Sequence, residues 1–230
     1  MKNPKVLVAC EESQRVCTAF RERGIEAYSC DIIEPSGGHP EWHIQGDVIP
    51  VLRGGTVTTM DGQEHEIGKW SLVIAHPPCT YLTVTGNKWF DRAKYGDAAK
   101  QREKDRFKAI VFFMRCVYAN SDHVAVENPI GIMGTAYQKA TQIIQPYEYG
   151  ETSRKATCLW LQGLPELKPT KIVEPKLVSY DAKDGRKLIF SEDYSKGGKD
   201  RQKNRSKTFP GIAKAMADQW GDYILSLEDE

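Results

Sequence analysis

Leu72-Val73-Ile74-Ala75 runs into His76-Pro77-Pro78-Cys79, and further on Val124-Ala125-Val126 runs into Glu127-Asn128-Pro129. Each apolar run has the length and composition of a strand buried on both faces. Between them Ala98 to Ala119 reads as one long helix, charged in its first half and apolar in its second (Ile110, Val111, Phe113, Met114, Val117). Strand, helix and strand in that order predict a parallel β-α-β crossover. In an open parallel sheet, residues just past the carboxyl ends of adjacent strands converge on one crevice, so the Cys79 thiol and the Glu127 carboxylate are expected to meet there. A thiol nucleophile beside a carboxyl acid is a working catalytic pair.

The pattern continues outward. Lys5 to Cys10 reads as a buried strand, Glu12 to Arg23 as a helix with Val16, Ala19 and Phe20 on one face and Gly24 as its stop, and Ala27 to Cys30 as a second strand. Asp31 follows that strand, and Asp47 follows a short irregular stretch. Thr56 to Ile67 has the alternation of a hairpin turning at Asp61-Gly62, inserted into the main alternation of elements. Downstream, Lys155 to Leu161 is strand-like, Lys176 to Phe190 suggests another hairpin around Asp184-Gly185, and Gly211 to Leu227 reads as a terminal helix. The expectation is an α/β fold, with a mainly parallel sheet covered by helices on both faces, in one domain spanning 1–230.

Composition narrows the classes. A chain of 230 residues that is 40% apolar can bury a sizeable core. Its net charge of +1 gives no global footprint for a polyanion, so contacts with nucleic acid must come from local clusters. The Met1-Lys2-Asn3 start leads straight into a strand, and no stretch approaches membrane-spanning length, so an intracellular protein with no membrane partner is expected. Cys10, Cys17, Cys30, Cys79, Cys116 and Cys158 form no C-x-x-C pair and have no paired histidines nearby, which favours neither a disulfide framework nor a metal site.

A carboxylate at the end of the second strand is placed to accept hydrogen bonds from ribose hydroxyls, which makes Asp31 a candidate for holding an adenosine. The first strand, however, is followed by Cys10-Glu11-Glu12-Ser13-Gln14-Arg15, with no glycine to let backbone approach a pyrophosphate and two carboxylates to repel one. A zwitterionic or cationic adenosine compound such as S-adenosylmethionine is easier to seat.

Taken in order, Val8-Ala9-Cys10-Glu11-Glu12-Ser13, Cys30-Asp31, Gly46-Asp47-Val48, Pro77-Pro78-Cys79, Glu127-Asn128-Pro129 and Arg154-Lys155 resemble the DNA cytosine-5 methyltransferase family. Lys155-Ala156-Thr157-Cys158-Leu159-Trp160-Leu161 and Thr208-Phe209-Pro210-Gly211-Ile212-Ala213 resemble its small, phage-type members. The resemblance implies a Rossmann-like S-adenosylmethionine-dependent methyltransferase fold and transfer of a methyl group to C5 of cytosine. Cys79 would add to C6 of the base, Glu127 would hold N3 and the exocyclic amine, and Arg154 or Lys155 would touch the base carbonyl or a phosphate. The acid form of Glu127 would be reached through a pKa raised by burial. Cys10, Glu11, Ser13, Asp31, Ile32, Asp47 and Pro77 would line the cofactor. The chain has Gln14, Thr80 and Pro129 where the family usually has Gly, Gln and Val, and only about Thr170 to Lys207 is left for target recognition.

The resemblance makes DNA the expected partner, with the target base extruded from the duplex. Lys199, Arg201, Lys203, Arg205 and Lys207, together with Lys88 and Arg92 beside Trp89, Phe90 and Tyr194, suit backbone contacts with aromatic stacking. From Lys100 to Lys108 the cations alternate with Glu103 and Asp105, which is also the pattern of a solvated helical face. His76 reads as a turn residue with no assigned role. Two other readings stay open: an amino-methyltransferase acting on N4 of cytosine or N6 of adenine, and a non-catalytic nucleic-acid-binding relative.

Overall fold

The computed structural model describes residues 3–182, 185, 187–191 and 207–227. Its elements run β1 (Lys5–Ala9), α1 (Arg15–Glu22), β2 (Glu26–Asp31), β3 (His43–Gln45), α2 (Val48–Val51), β4 (Gly55–Thr58), β5 (Glu64–Gly68), β6 (Leu72–Ala75), α3 (Arg92–Val117), β7 (Val124–Pro129), α4 (Met133–Ala136), β8 (Gln142–Ile144), β9 (Thr157–Gln162), β10 (Leu177–Asp181), β11 (Lys187–Ser191) and α5 (Pro210–Ser226).

Seven strands make one sheet in the order β3-β2-β1-β6-β7-β9-β8. All its pairs are parallel except those of β9, which is antiparallel to both neighbours. The central strands show no alternation because both faces are covered: Val6 to Ala9 and Leu72 to Ala75 are completely buried. On one face Val6, Val8, Leu72 and Ile74 pack with Val16 and Phe20 of α1 and with Met216 and Trp220 of α5. On the other, Leu7, Ala9, Val73 and Ala75 pack with Phe113, Cys116 and Val117 of α3. This is the Rossmann-like α/β architecture expected from the sequence.

The chain leaves β1 toward β2 and β3 at one edge, then returns to lay β6 against the other side of β1. The strand order therefore reverses between β1 and β6, and it is outside the carboxyl ends of strands at such a point that open α/β sheets bind ligands. A backbone hydrogen bond from His76 N–H to the Ala9 carbonyl, 2.9 Å, crosses it.

Several boundaries differ from expectation. Helix α1 starts at Arg15 rather than Glu12, because Cys10 (φ 61°) and Gln14 (φ 56°) take left-handed turns that break the run. Glu11 instead folds its carboxylate over the helix start, accepting from Val16 N–H at 2.7 Å and Cys17 N–H at 3.2 Å. Helix α3 begins earlier than Ala98, at Arg92, with Asp91 as its cap and a break at Gly96 (φ 50°, ψ −123°). Strand β9 starts at Thr157, two residues after Lys155. Strands β3 and β8 have three residues each, too few to show a period in sequence. Two antiparallel hairpins, β4–β5 and β10–β11, stand outside the sheet. Among the described residues no helix is long and apolar enough to cross a membrane.

Candidate active site

The carboxyl ends of β6 and β7, with the loops that follow them, are joined directly. Asn128 donates its side-chain N–H to the Pro77 carbonyl at 2.7 Å, Ile132 N–H donates to the Leu82 carbonyl at 2.8 Å, and Val84 N–H donates to the Ile130 carbonyl at 3.2 Å. Cys79 lies inside this zipper. Its carbonyl accepts from Leu82 N–H at 2.9 Å and Thr83 N–H at 3.0 Å, forming a turn that leaves its side chain exposed, whereas Pro77 is buried with its carbonyl occupied by Asn128. The fold thus holds the thiol-bearing turn against the strand end that carries Glu127.

Downstream of Cys79 the chain is clamped to α3. Arg102 donates to the Thr80 carbonyl at 2.9 Å, while Arg106 donates to the Tyr81 carbonyl at 2.9 Å and to Asn87 Oδ1 at 2.7 Å, with its guanidinium 3.5 Å from the Phe90 ring centroid. These two arginines are therefore more than a solvated face: they hold the 80–90 loop. Arg92 makes a two-pronged pair with Glu103, at 2.8 and 2.5 Å. Lys88 lies 5.0 Å from the ring of Trp89, which is itself partly exposed. Lys199, Arg201, Lys203, Arg205 and Tyr194 lie outside the described residues.

Glu127 Oε2 is 3.1 Å from His76 Nδ1, and the two side chains are only 18% and 9% exposed. Burial pushes the Glu127 carboxyl up, but the His76 hydrogen bond and the charges of Lys155 and His76 outweigh it, so the net direction is down. This corrects the expectation of a carboxyl raised by burial: burial is present, and the imidazole and ammonium beside it reverse the sign. Arg154 and Lys155, in the coil before β9, have different surroundings. Lys155 acts on Glu127, with its ammonium 6.0 Å from the Phe209 ring centroid. Arg154 is exposed, is held through its backbone N–H and carbonyl by Ser191 Oγ (2.6 and 3.0 Å), and lines a separate cavity of about 500 Å³ with Lys187, Ile189 and Phe190.

On the other side of the crevice lie the candidate cofactor residues. Asp31 accepts from Ile33 N–H at 3.2 Å, and burial pushes its carboxyl up. Asp47 caps α2 through Ile49 N–H at 3.0 Å and is joined to Asp31 through Gly46, whose N–H donates to the Asp31 carbonyl at 2.9 Å. Ile32 beside them is 74% exposed, an apolar surface at a strand end. Cys10 faces Cys116, Glu11 is committed to capping α1, and Ser13 is buried beside Glu11.

Four functional candidates escaped the sequence reading. Gln14, fully buried, ties the first loop to Ser29 Oγ (3.2 Å) and to both backbone groups of His39 (2.8 and 3.1 Å). Asn128 joins the two loops. Both Glu12 carboxylate oxygens are buried without a hydrogen-bond partner, and their charge is felt at Asp31. His76 Nε2 is likewise buried and unpartnered. Unmet buried polar atoms are uncommon enough in folded proteins to call for an explanation such as a ligand or a catalytic role. For His76 the only signal in sequence was adjacency to a strand end, whereas Glu12 was already legible as one of two carboxylates that repel a pyrophosphate. A further hollow of about 420 Å³, lined by Arg21, Glu26, Tyr28 and Trp42, borders the amino end of β2, away from these residues. Among the described residues no group of three or more His, Cys, Asp or Glu is placed to hold a metal ion.

The candidate site is thus a thiol-bearing turn tied to the strand end that carries a carboxylate with an imidazole and an ammonium, with an acidic pair near the carboxyl ends of β2 and β3 of the same Rossmann-like sheet. No protein-family model matches the chain, and no curated protein matches it. Among solved structures it is similar to that of the Entamoeba histolytica methyltransferase EhMeth, at 12% sequence identity and a TM-score of 0.42. The match covers 75% of this chain, which spans 58% of the length of that one.

Proposed function

We propose that the chain is an S-adenosylmethionine-dependent DNA cytosine-5 methyltransferase. The observation that carries this reading is the zipper between the two strand-end loops, which ties the exposed Cys79 turn to the β7 end bearing Glu127 through Asn128 and Pro77. A nucleophile for C6 and a grip for the N3 edge of one pyrimidine require that adjacency.

The residues divide the work. The Cys79 thiolate forms a bond to C6, displacing the C5–C6 π pair toward C5 and the N3 edge, where Glu127 faces the developing charge. Lys155, beside Glu127, suits the carbonyl of the base, and Arg154, turned toward β11, suits a phosphate. Asp31 and Asp47 suit the ribose and the adenine amine. Bound S-adenosylmethionine supplies an electrophilic methyl group for C5. Loss of the C5 proton to water and expulsion of the thiolate then restore the aromatic base and Cys79. A base inside a duplex is out of reach of such groups, so the reading includes its extrusion, with the 80–90 loop clamped by Arg102 and Arg106 as the wall of the pocket.

The cofactor's chemistry fits the residues at one further point. The buried, unpartnered Glu12 carboxylate beside Asp31 calls for a cation, and the α-ammonium of the cofactor's methionyl arm is one. Glu12→Gln is expected to weaken S-adenosylmethionine binding about tenfold in calorimetry, the scale of one charge-assisted hydrogen bond. Affinity for 5′-deoxy-5′-methylthioadenosine, which lacks the amino-acid arm, should stay within about twofold. Equal losses for both ligands would remove Glu12 from this role.

The reading is tested by incubating the protein with S-adenosylmethionine and DNA of varied sequence, then digesting the DNA and identifying the methylated base by mass spectrometry. 5-Methylcytosine supports it. N4-methylcytosine or N6-methyladenine would replace it with an amino-methyltransferase, and DNA binding without cofactor binding would replace it with a non-catalytic relative.

A further inference from the structure

His76 lies where the two halves of the crevice meet. Its backbone N–H is bonded to Ala9 at the end of β1, and its Nδ1 is 3.1 Å from Glu127 Oε2 at the end of β7. Its side chain is 9% exposed, and Nε2 is buried with no hydrogen-bond partner. The groups that face this couple are few. Glu11, from the loop after β1, feels the imidazole charge while its oxygens cap α1, and Lys155 and Cys158 act on or feel Glu127 from the β9 side. An imidazole bonded to one carboxylate, within reach of the charge of a second, and with one buried nitrogen spare, is built to keep a proton and pass it on.

We propose that His76 is a positioning residue that stores the proton Glu127 delivers to the N3 edge of the base, handing it over through the Nδ1–Oε2 contact. The inference rests on the cytosine-5 methyltransferase reading. As the Cys79 sulfur bonds to C6, the displaced electron pair raises the basicity of N3, which takes a proton from Glu127. Glu127, ionised at rest, draws that proton from Nδ1 of the imidazolium as it gives it up to N3, leaving neutral imidazole, and elimination of the thiolate runs both transfers backward. No proton is gained or lost over the cycle by the His76–Glu127 couple. The arrangement also resolves a tension in the site: the neighbours of Glu127 favour its ionised form, yet the reaction needs a proton there, and His76 keeps that proton one hydrogen bond away.

The test uses the full chain, with S-adenosylmethionine and DNA in which 5-fluorocytosine replaces cytosine, so that the final elimination is blocked and the covalent adduct accumulates. Its single-turnover rate is measured between about pH 5 and pH 9 for the wild type and for His76→Asn, whose amide nitrogen can keep the bond to Glu127 without carrying a transferable proton. In the wild type the rate profile should include a limb that falls with rising pH, as the His76–Glu127 couple loses its stored proton. In His76→Asn that fall should move at least about one unit toward the carboxyl range, leaving the variant about 10- to 100-fold slower at pH 8 and nearer the wild type at pH 5. DNA affinity should be unchanged. His76→Gln serves as the second variant if the asparagine protein does not fold. Parallel profiles differing by a constant factor would make His76 merely structural and overturn the inference while leaving the methyltransferase reading intact. No adduct from the wild type at any pH would overturn both.

Discussion

Cys79→Ala should form no covalent adduct with 5-fluorocytosine DNA, and Cys79→Ser should form it at least about 10³-fold more slowly than the wild type, because an alcohol is a far weaker nucleophile than a thiolate near neutral pH. Folding should be untouched. Cys79 is exposed at a turn, and its contribution to the zipper is a backbone carbonyl that any residue supplies. The other thiols make the contrast. Cys17, Cys30, Cys116 and Cys158 are buried, and burial pushes the Cys30 thiol up to about 12, too high to ionise in neutral solution. Cys10 faces Cys116, and this contact and burial raise it as well. Brief treatment with iodoacetamide should therefore label Cys79 first, and bound DNA should protect it. Adduct formation by the alanine variant, or labelling led by another cysteine, would break the assignment.

How far the site was legible depended on whether a residue's role is set along the chain or across it. The β6-α3-β7 crossover could be read directly, since continuous apolar runs and a long helix leave few alternatives, and with it came the adjacency of the Cys79 and Glu127 loops. What lay across the chain could not. Arg102 and Arg106 look like members of an exposed charge run, yet the 80–90 loop folds back onto them and uses their guanidinium groups for its own carbonyls. Glu11 and Glu12 are identical neighbours in sequence. Only the left-handed turns at Cys10 and Gln14 send the first to cap a helix and leave the second facing Asp31 unpaired. The sign of the Glu127 shift was missed for the same reason: burial is foreseeable at a strand end, whereas the imidazole and ammonium that outweigh it arrive from β6 and from the start of β9.

Gly131→Ala should lose adduct formation by about 100-fold or more, the scale of effect produced when a reacting group is misplaced by about 1 Å. Gly131 is not in a left-handed conformation; glycine is required there by close approach. A Cβ at this position would lie 2.1 Å from the Leu82 carbonyl oxygen and 3.1 Å from Thr83 Cα, both backbone atoms that cannot swing aside. The bridge between Thr83 and Gly131 and the bond from Ile132 N–H to Leu82 must then open, and these are the contacts that hold the Cys79 turn against the end of β7. Because the clash falls on loops outside the central strands, whose core between α1, α3 and α5 does not involve Gly131, the variant should keep its cooperative thermal transition with a lowered midpoint. It should also still bind S-adenosylmethionine, since Glu12, Asp31 and Asp47 hang from β1, β2 and β3. Retained cofactor binding with lost adduct formation separates a site pulled apart from a protein unfolded. Full trapping activity in the alanine variant would mean that the zipper is not what aligns thiol and carboxylate.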